Sequence, residues 1–408
     1  MVSHDIVVVG ANIAGILAAH YLLKHTIPAL QDANKSATYK LTLISPSTHF
    51  FWKIGAPRAL INSELIPFSK IFKPIGDGFK QYPKDKFTLV IGSAVGVDQN
   101  QRTVTVETAE SGTKTVSYSA LVIATGTTSA SPLWTLHGSH ETTVSSMKEM
   151  HAALPKASTI LISGGGPTGV ETAGQYPPRS FRLNSYPLTT APGEIATVFP
   201  KANTTILSGT HSLLHRLKPA IGEAAESTLK RMNVKTINNA KVTAATPSAD
   251  NRKTTVQLSD NTSRTVDVYI DATGGRPNTS FLPSAWLNER GYVLTDPKSL
   301  RLLTAANVYA VGDVASYSAG SAIDAMEPIR PLCSSILADL SPDGKAVKQT
   351  PYNKSEKMTQ LVPIGPKGGV GMLFGWRVPS LMVWGVKSRT FFVELVEPLV
   401  SGARVAKA

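Results

Sequence analysis

Apolar residues in this chain gather in short runs that recur at intervals, each followed by small or turn-forming residues. Asp5-Ile6-Val7-Val8-Val9 is β-branched and apolar, and it leads into Gly10-Ala11-Asn12-Ile13-Ala14-Gly15 and then the helical pattern Ile16-Leu17-Ala18-Ala19-His20-Tyr21-Leu22-Leu23. Ser158-Thr159-Ile160-Leu161-Ile162-Ser163 repeats the arrangement, running into Gly164-Gly165-Gly166-Pro167-Thr168-Gly169 and then Val170-Glu171-Thr172-Ala173. Strand, tight turn and helix are therefore predicted twice, about one domain length apart. Further strands are expected at Lys40-Leu41-Thr42-Leu43-Ile44, Leu121-Val122-Ile123, Thr204-Thr205-Ile206-Leu207, Val268-Tyr269-Ile270 and Val308-Tyr309-Ala310-Val311. Strands alternating with helices make the fold class α/β.

The turns carry the chemistry. In a strand, turn and helix of this kind the first glycine makes the turn and the last lets helix and strand pack closely, while the amides at the helix start face a pyrophosphate. The second copy has all three glycines; in the first, Asn12 replaces the middle one. The first motif alone, with Asn12 in the middle and no ribose acid, could be an ordinary glycine turn, and the pairing favours two Rossmann-like dinucleotide-binding domains. Each unit is followed by a strand ending in Ala-Thr-Gly, at Ala124-Thr125-Gly126 and at Ala272-Thr273-Gly274, where small residues let the chain turn beneath a dinucleotide and cross between domains. The strand of residues 307–311 delivers Gly312 and Asp313 to a corner where a carboxylate can accept hydrogen bonds from flavin ribityl hydroxyls, or simply cap the following helix. The second strand of the first unit ends at Ser45, where an acid would bond an adenosine ribose; Ser208 stands at the matching place in the second unit, so a 2′-phosphate is tolerated and NADPH permitted, with His211 and Arg216 in range of it or merely at the surface.

Length and composition narrow the reading. At 408 residues two or three domains are expected, and 42% hydrophobic with 17% charged residues fits a globular protein; no run of about 18 apolar residues predicts a membrane span. The net charge of +13 is spread without blocks, which suits anionic cofactors or acidic lipid surfaces better than a dedicated nucleic-acid site, and none is expected. The single cysteine, Cys333, excludes a dithiol pair relaying electrons from a flavin. The glycine turn begins as early as Gly10, so no targeting segment is expected before it and the cytoplasm is the expected location.

Gly10 to Gly15, the two Ala-Thr-Gly segments, Gly-Gly-Gly-Pro-Thr-Gly-Val-Glu, Ala-Thr-Gly-Gly-Arg-Pro-Asn and Ala-Val-Gly-Asp-Val-Ala, in this order, resemble the pyridine nucleotide-disulfide oxidoreductase superfamily. Within it the chain is similar to the apoptosis-inducing-factor-like group, which includes ferroptosis-suppressor proteins, and more distantly to type II NADH dehydrogenases; His49-Phe50-Phe51-Trp52 with Pro57-Arg58, and Val383-Trp384-Gly385-Val386-Lys387-Ser388-Arg389, support the narrower likeness. The resemblance implies a glutathione-reductase-type fold: an FAD domain over 1–135 and 276–335, an NAD(P) domain over 136–275, and a C-terminal cap over 336–408. It implies FAD held by Gly10, Asn12, Ala14, Gly15, Ser45, Arg58, Ala124, Thr125, Gly126 and Asp313, and NAD(P)H held by Gly164, Gly166, Thr168, Gly169 and Gly274. Glu171 and Lys387 become the catalytic candidates beside the isoalloxazine, against the plainer readings of a first-turn acid favoured by the helix dipole and a solvated surface charge. No metal is expected.

One feature breaks the repeat. Gly174-Gln175-Tyr176-Pro177-Pro178 ends the second helix early, and Gly193-Glu194-Ile195-Ala196 reads as its continuation, so residues 175–193 are expected to be an inserted loop or an unspliced short intron. Deleting 175–193 should preserve soluble, yellow protein; failure to fold on deletion would show the segment to be structural. The implied activity is hydride transfer from NAD(P)H to FAD and direct electron release to a quinone-like acceptor, with the apolar Gly369–Val400 stretch as a lipid-facing entrance or a plain buried interface, and peripheral membrane contact as a corollary. A tailoring oxidoreductase of a small-metabolite pathway and a non-catalytic redox-sensing or death-signalling flavoprotein are the competing readings.

Overall fold

The structure is a computed structural model that describes residues 2–405, apart from 62, 65, 110–111, 176–201 and 343–347. Two parallel sheets organise it. In the first, β1 (Val2–Val9), β2 (Ala37–Ser45), β3 (Phe87–Ile91), β7 (Ala120–Ile123) and β15 (Val308–Ala310) lie in the order β15-β7-β1-β2-β3. In the second, β8 (Thr159–Ser163), β9 (Asn203–Leu207), β10 (Lys235–Ile237) and β14 (Val268–Asp271) lie in the order β10-β9-β8-β14. Every neighbouring pair in both sheets is parallel.

The unbroken apolar runs follow from this. Successive side chains of a strand point to opposite faces, and both faces here are covered. Ile6 and Val8 join the core beneath the helices, while Val7 and Val9 join a separate core on the other side with Val104, Val106 and Trp286. Ile160 and Ile162 likewise face the helical side, and Leu161 packs with Val256 and Leu258.

The covers on those second faces are two antiparallel ribbons of three strands: β4 (Ser93–Asp98), β5 (Thr103–Thr108) and β6 (Gly112–Ser117) in the first unit, and β11 (Val242–Pro247), β12 (Thr254–Leu258) and β13 (Ser263–Val266) in the second. The repeat thus extends beyond strand, turn and helix. The ribbons are missing from the sequence reading although strands such as Thr103-Val104-Thr105-Val106 alternate, with only the valines buried.

The helix after Gly10 is longer than its apolar pattern suggests. α1 (Ile13–Tyr21) passes through a π turn, Leu22–Thr26, into α2 (Ile27–Ala33). Pro28 cannot donate to the preceding turn, and just before it the ladder widens, with Ile27 N donating to Leu22 O. By length and composition Ile13–Ala33 would suffice to cross a membrane, yet 72% of its apolar window is buried inside the protein, where it serves as a core helix. The C-terminal segment, with the hairpin β16 (Gln360–Pro363) and β17 (Gly369–Leu373), touches both units: Gly365 N donates to Gly174 O at 2.8 Å, and Val400 O lies 2.8 Å from His20 Nε2 on α1.

Candidate functional site

The glycine turns and the Ala-Thr-Gly segments form one packed unit in each half. Gly10 has φ +106°, and a Cβ there would collide with the Ala124 carbonyl. A Cβ on Gly15 would collide with the Gly10 carbonyl and stand 3.4 Å from Ala124 Cβ. The second half repeats this: Gly164, at φ +119°, abuts the Ala272 carbonyl, and Gly169 abuts the Gly164 carbonyl, with Ala272 Cβ 3.5 Å away. Strand end, turn and helix start are in backbone contact, which leaves no room for side chains.

The middle position differs between the halves. A Cβ on Gly166 would meet nothing within 4 Å, and α4 (Pro167–Gly174) begins beside it without a side-chain cap. Beside the Pro167 start, Gly166 leaves room, and the uncapped amides after Pro167 form a cradle that fits a dinucleotide phosphate. At the start of α1, Asn12 Oδ1 accepts a hydrogen bond from Ile13 N at 2.8 Å, so one amide is already used. Gly126 and Gly274 also face open space. Thr125 Oγ1 donates to Asn278 O and Asn278 Nδ2 donates to Thr125 O, both at 2.8 Å, and Thr127-Thr128 pairs with Arg276-Pro277, so the two Ala-Thr-Gly ends are tied at the crossing between the halves.

Asp313, Ser45 and Thr168 take up distinct settings. Gly312, at φ +80°, packs on Ala14 of α1, which brings the Asp313 corner against the first glycine turn. There Asp313 Oδ2 accepts from Lys53 Nζ at 2.7 Å. The sequence reading missed Lys53, which directly follows the flagged aromatic run His49–Trp52. Ser45 is buried and its hydroxyl donates to Ser47 O at 2.7 Å within its own turn. Thr168 lies half-buried in the first turn of α4, its carbonyl accepting from Thr172 Oγ1 at 2.7 Å.

Glu171 and Lys387 come together. Lys387 Nζ donates to Glu171 Oε1 at 2.6 Å and to Leu361 O at 3.0 Å, with the two side chains 14% and 4% exposed respectively. Burial pushes the Glu171 carboxyl above its ordinary range, and the Lys387 and Arg58 charges pull it back only in part. Arg58, on α3 (Ala56–Ala59), donates to Gln175 Oε1 at 3.1 Å and to Ser388 O, and its guanidinium stacks 4.5 Å from the Phe391 ring centroid. Ser388 and Phe391 fall in segments flagged from sequence and Gln175 in the expected insertion, but their contacts with Arg58 were not foreseen. Nothing local marks those contacts, since each is made with a partner distant in sequence.

α4 ends at Gly174, as Gly174-Gln175 and the two prolines predict, and a Cβ on Gly174 would press on Ile364 at 2.8 Å. Gln175 is its C-cap; the rest of the expected insertion, and its expected continuation at Glu194, lie outside the described residues.

Comparison with known proteins completes the picture. The model of the pyridine nucleotide-disulphide oxidoreductase family matches residues 4–328. Oxidoreductase phnG of Penicillium herquei is 35% identical, covering 99% of this chain and 97% of its own; oxidoreductase ptaL of Pestalotiopsis fici is 31% identical, covering 98% and 99%. Human ferroptosis suppressor protein 1 is 25% identical over 95% of this chain and 93% of its own. Among solved structures, the sulfide:quinone oxidoreductase of Aquifex aeolicus superposes with a TM-score of 0.71 at 17% identity (99% and 93% covered), and NDH2 of Plasmodium falciparum in complex with NADH with 0.68 at 14% (99% of each), likenesses of fold.

Proposed function

Because the chain belongs to the pyridine nucleotide-disulphide oxidoreductase family, we propose that it is an FAD-dependent NAD(P)H oxidoreductase that hands electrons directly to a quinone-like acceptor, without a redox disulfide. The observation that carries this reading is the buried Lys387 and Glu171 pair, set one turn into the helix of the second glycine cradle. In this reading Gly10, Gly15, Ala124 and Gly126 shape the FAD cradle, Asp313 takes the ribityl hydroxyls, and Gly164, Gly166 and Gly169 shape the NAD(P)H cradle. Bound there, a nicotinamide would supply a hydride and a flavin would take it up and pass electrons onward.

The protein's own contribution is orientation and charge. Glu171 fixes the direction of Lys387, whose ammonium is a hydrogen-bond donor and proton source at Nζ for an acceptor oxygen. Cys333 takes no part: it is buried, and burial pushes its thiol up.

A lipophilic acceptor suits the surface around Lys387. Phe374, Trp376, Leu381, Met382 and Val386 are 67%, 78%, 72%, 45% and 42% exposed, an apolar stretch on the segment that delivers the lysine. The same stretch would support peripheral contact with a membrane. A redox enzyme for a small metabolite is the second reading, favoured by the higher identity to the two fungal oxidoreductases than to ferroptosis suppressor protein 1.

The test is anaerobic addition of NADH and of NADPH to the purified flavoprotein, followed by a panel of quinones. Rapid bleaching and fast reoxidation by a quinone are expected. Bleaching with no quinone turnover would overturn the acceptor and leave the small-metabolite or redox-sensing readings; no bleaching by either nucleotide would overturn the oxidoreductase.

A further inference from the structure

The nucleotide donor can be named more closely, on the reading that the second unit binds NAD(P)H. We propose that this unit takes NADPH in preference to NADH, with Lys241 and His211 receiving the 2′-phosphate.

Discrimination at such a site depends on the residue ending the second strand. An acid there bonds the ribose hydroxyls and repels a 2′-phosphate, whereas nearby cations accommodate it. β9 ends at Leu207, and Ser208 follows. Ser208 occupies the discriminating place physically as well as in sequence: a Cβ on Gly165, in the middle of the phosphate turn, would stand 2.5 Å from Ser208 Oγ and 2.7 Å from its Cβ. Its hydroxyl is committed elsewhere, 2.9 Å from Ser212 O and 3.0 Å from Thr210 Oγ1. The strand end therefore offers neither a charge against the phosphate nor a free acceptor for the ribose.

A lysine lies beside it. Gly209 comes next, and a Cβ on it would stand 3.0, 3.3 and 3.6 Å from Lys241 Cγ, Cε and Cδ, so the lysine stem lies along the face of the glycine. The Lys241 backbone is pinned to the turn after β12: its N donates to Ser259 Oγ at 3.1 Å and its O accepts from Ser259 N at 2.8 Å. Among the described residues the Lys241 ammonium has no ion-pair partner. His211 is exposed two residues after Gly209. The carboxylate packed on this turn, Glu226, is occupied inward, accepting at Oε1 from Leu213 N at 3.1 Å and Asn238 Nδ2 at 3.0 Å. Arg216, the other cation suggested by sequence, turns away to donate to Ala319 O at 3.1 Å. Asp260, next to Ser259, is engaged in its own turn, its Oδ1 accepting from Thr262 N at 3.0 Å and Oγ1 at 2.7 Å, so among the described residues Lys241 is left to a dianion at this edge, and charge-assisted contacts of this kind are the strong ones.

Two measurements on the FAD-loaded protein test the proposal. Calorimetry with adenosine 2′,5′-bisphosphate and with AMP should show the bisphosphate binding at least about tenfold tighter, about 1.4 kcal/mol. Steady-state flavin reduction should favour NADPH over NADH in kcat/KM by a similar factor. Lys241→Met should remove most of that factor by lowering kcat/KM for NADPH about tenfold, leaving NADH within about twofold and flavin content unchanged. Equal binding of the two adenosine probes, a preference for NADH, or equal loss of both nucleotides in Lys241→Met would overturn it. If neither nucleotide bleaches the flavin and neither probe binds, the assignment of the second unit has failed and this inference with it; probe discrimination without bleaching would uphold the inference and fault the redox reading alone.

Discussion

Replacing Lys387 by Met tests whether its pair with Glu171 is a closed, buried contact. The substitution keeps most of the side-chain volume and removes the ammonium bonded to Glu171 Oε1 at 2.6 Å, leaving a carboxylate whose side chain is 4% exposed. Breaking a buried pair from one side costs about 3–5 kcal/mol because the remaining charge is stranded. The Arg58 charge still lowers the Glu171 carboxyl, so the lower end, about 3 kcal/mol, is expected. Glu171→Gln with Lys387→Met, which leaves neither charge, should recover most of that loss, and the cycle should show a coupling of about 2 kcal/mol or more. The pH dependence has a definite sign. Burial already raises the Glu171 carboxyl above its ordinary 4.5, and loss of Lys387 raises it further. A raised folded value adds stability below the unfolded value that is lost as pH rises through the folded one. The deficit of Lys387→Met relative to the parent should therefore be larger at pH 8 than at pH 5.5, as read from urea denaturation of the FAD-loaded proteins. A deficit under about 1 kcal/mol that does not change with pH would refute the argument and place the pair in contact with solvent.

Other consequences follow from the two cradles and the C-terminal clamp. Gly10→Ala should give colourless protein, and Gly164→Ala should stay yellow but lose bleaching by nicotinamide nucleotides, since each substitution drives a methyl into a carbonyl at positive φ; absorbance at 450 nm before and after NADPH separates them. Asp313→Ala should lose flavin with unchanged circular dichroism, and Lys53→Met, which strands the Asp313 carboxylate, should weaken FAD about tenfold by fluorescence titration. His20 is fully buried between Tyr82 OH and Val400 O, and burial lowers its pKa from 6.5 to about 4. A depressed histidine destabilises the fold as pH falls from about 6.5 towards 4, by up to about 3 kcal/mol, and His20→Gln should flatten that slope in urea midpoints measured at pH 7 and 5.

What the sequence determined by itself was local and steric. Glycine at 10, 15, 164 and 169 and alanine at 124 and 272 are required by backbone contacts within each unit, so residue type alone announces the two cradles, and runs such as Ile6-Val7-Val8-Val9 announce strands covered on both faces. The early end of the helix at Gly174 was legible for the same reason, in glycine followed by prolines. Which ammonium meets which carboxylate was decided by the tertiary structure. Lys387 reaches Glu171 across 216 positions and Lys53 reaches Asp313 across 260, and before folding any of the chain's many lysines could have served. Whether Asn12 caps its own helix, whether Ser45 turns inward, and whether Lys241 lies along Gly209 are likewise matters of direction. A side chain's direction is set by what packs around it, and that surrounding is assembled from strands and loops far apart in the chain.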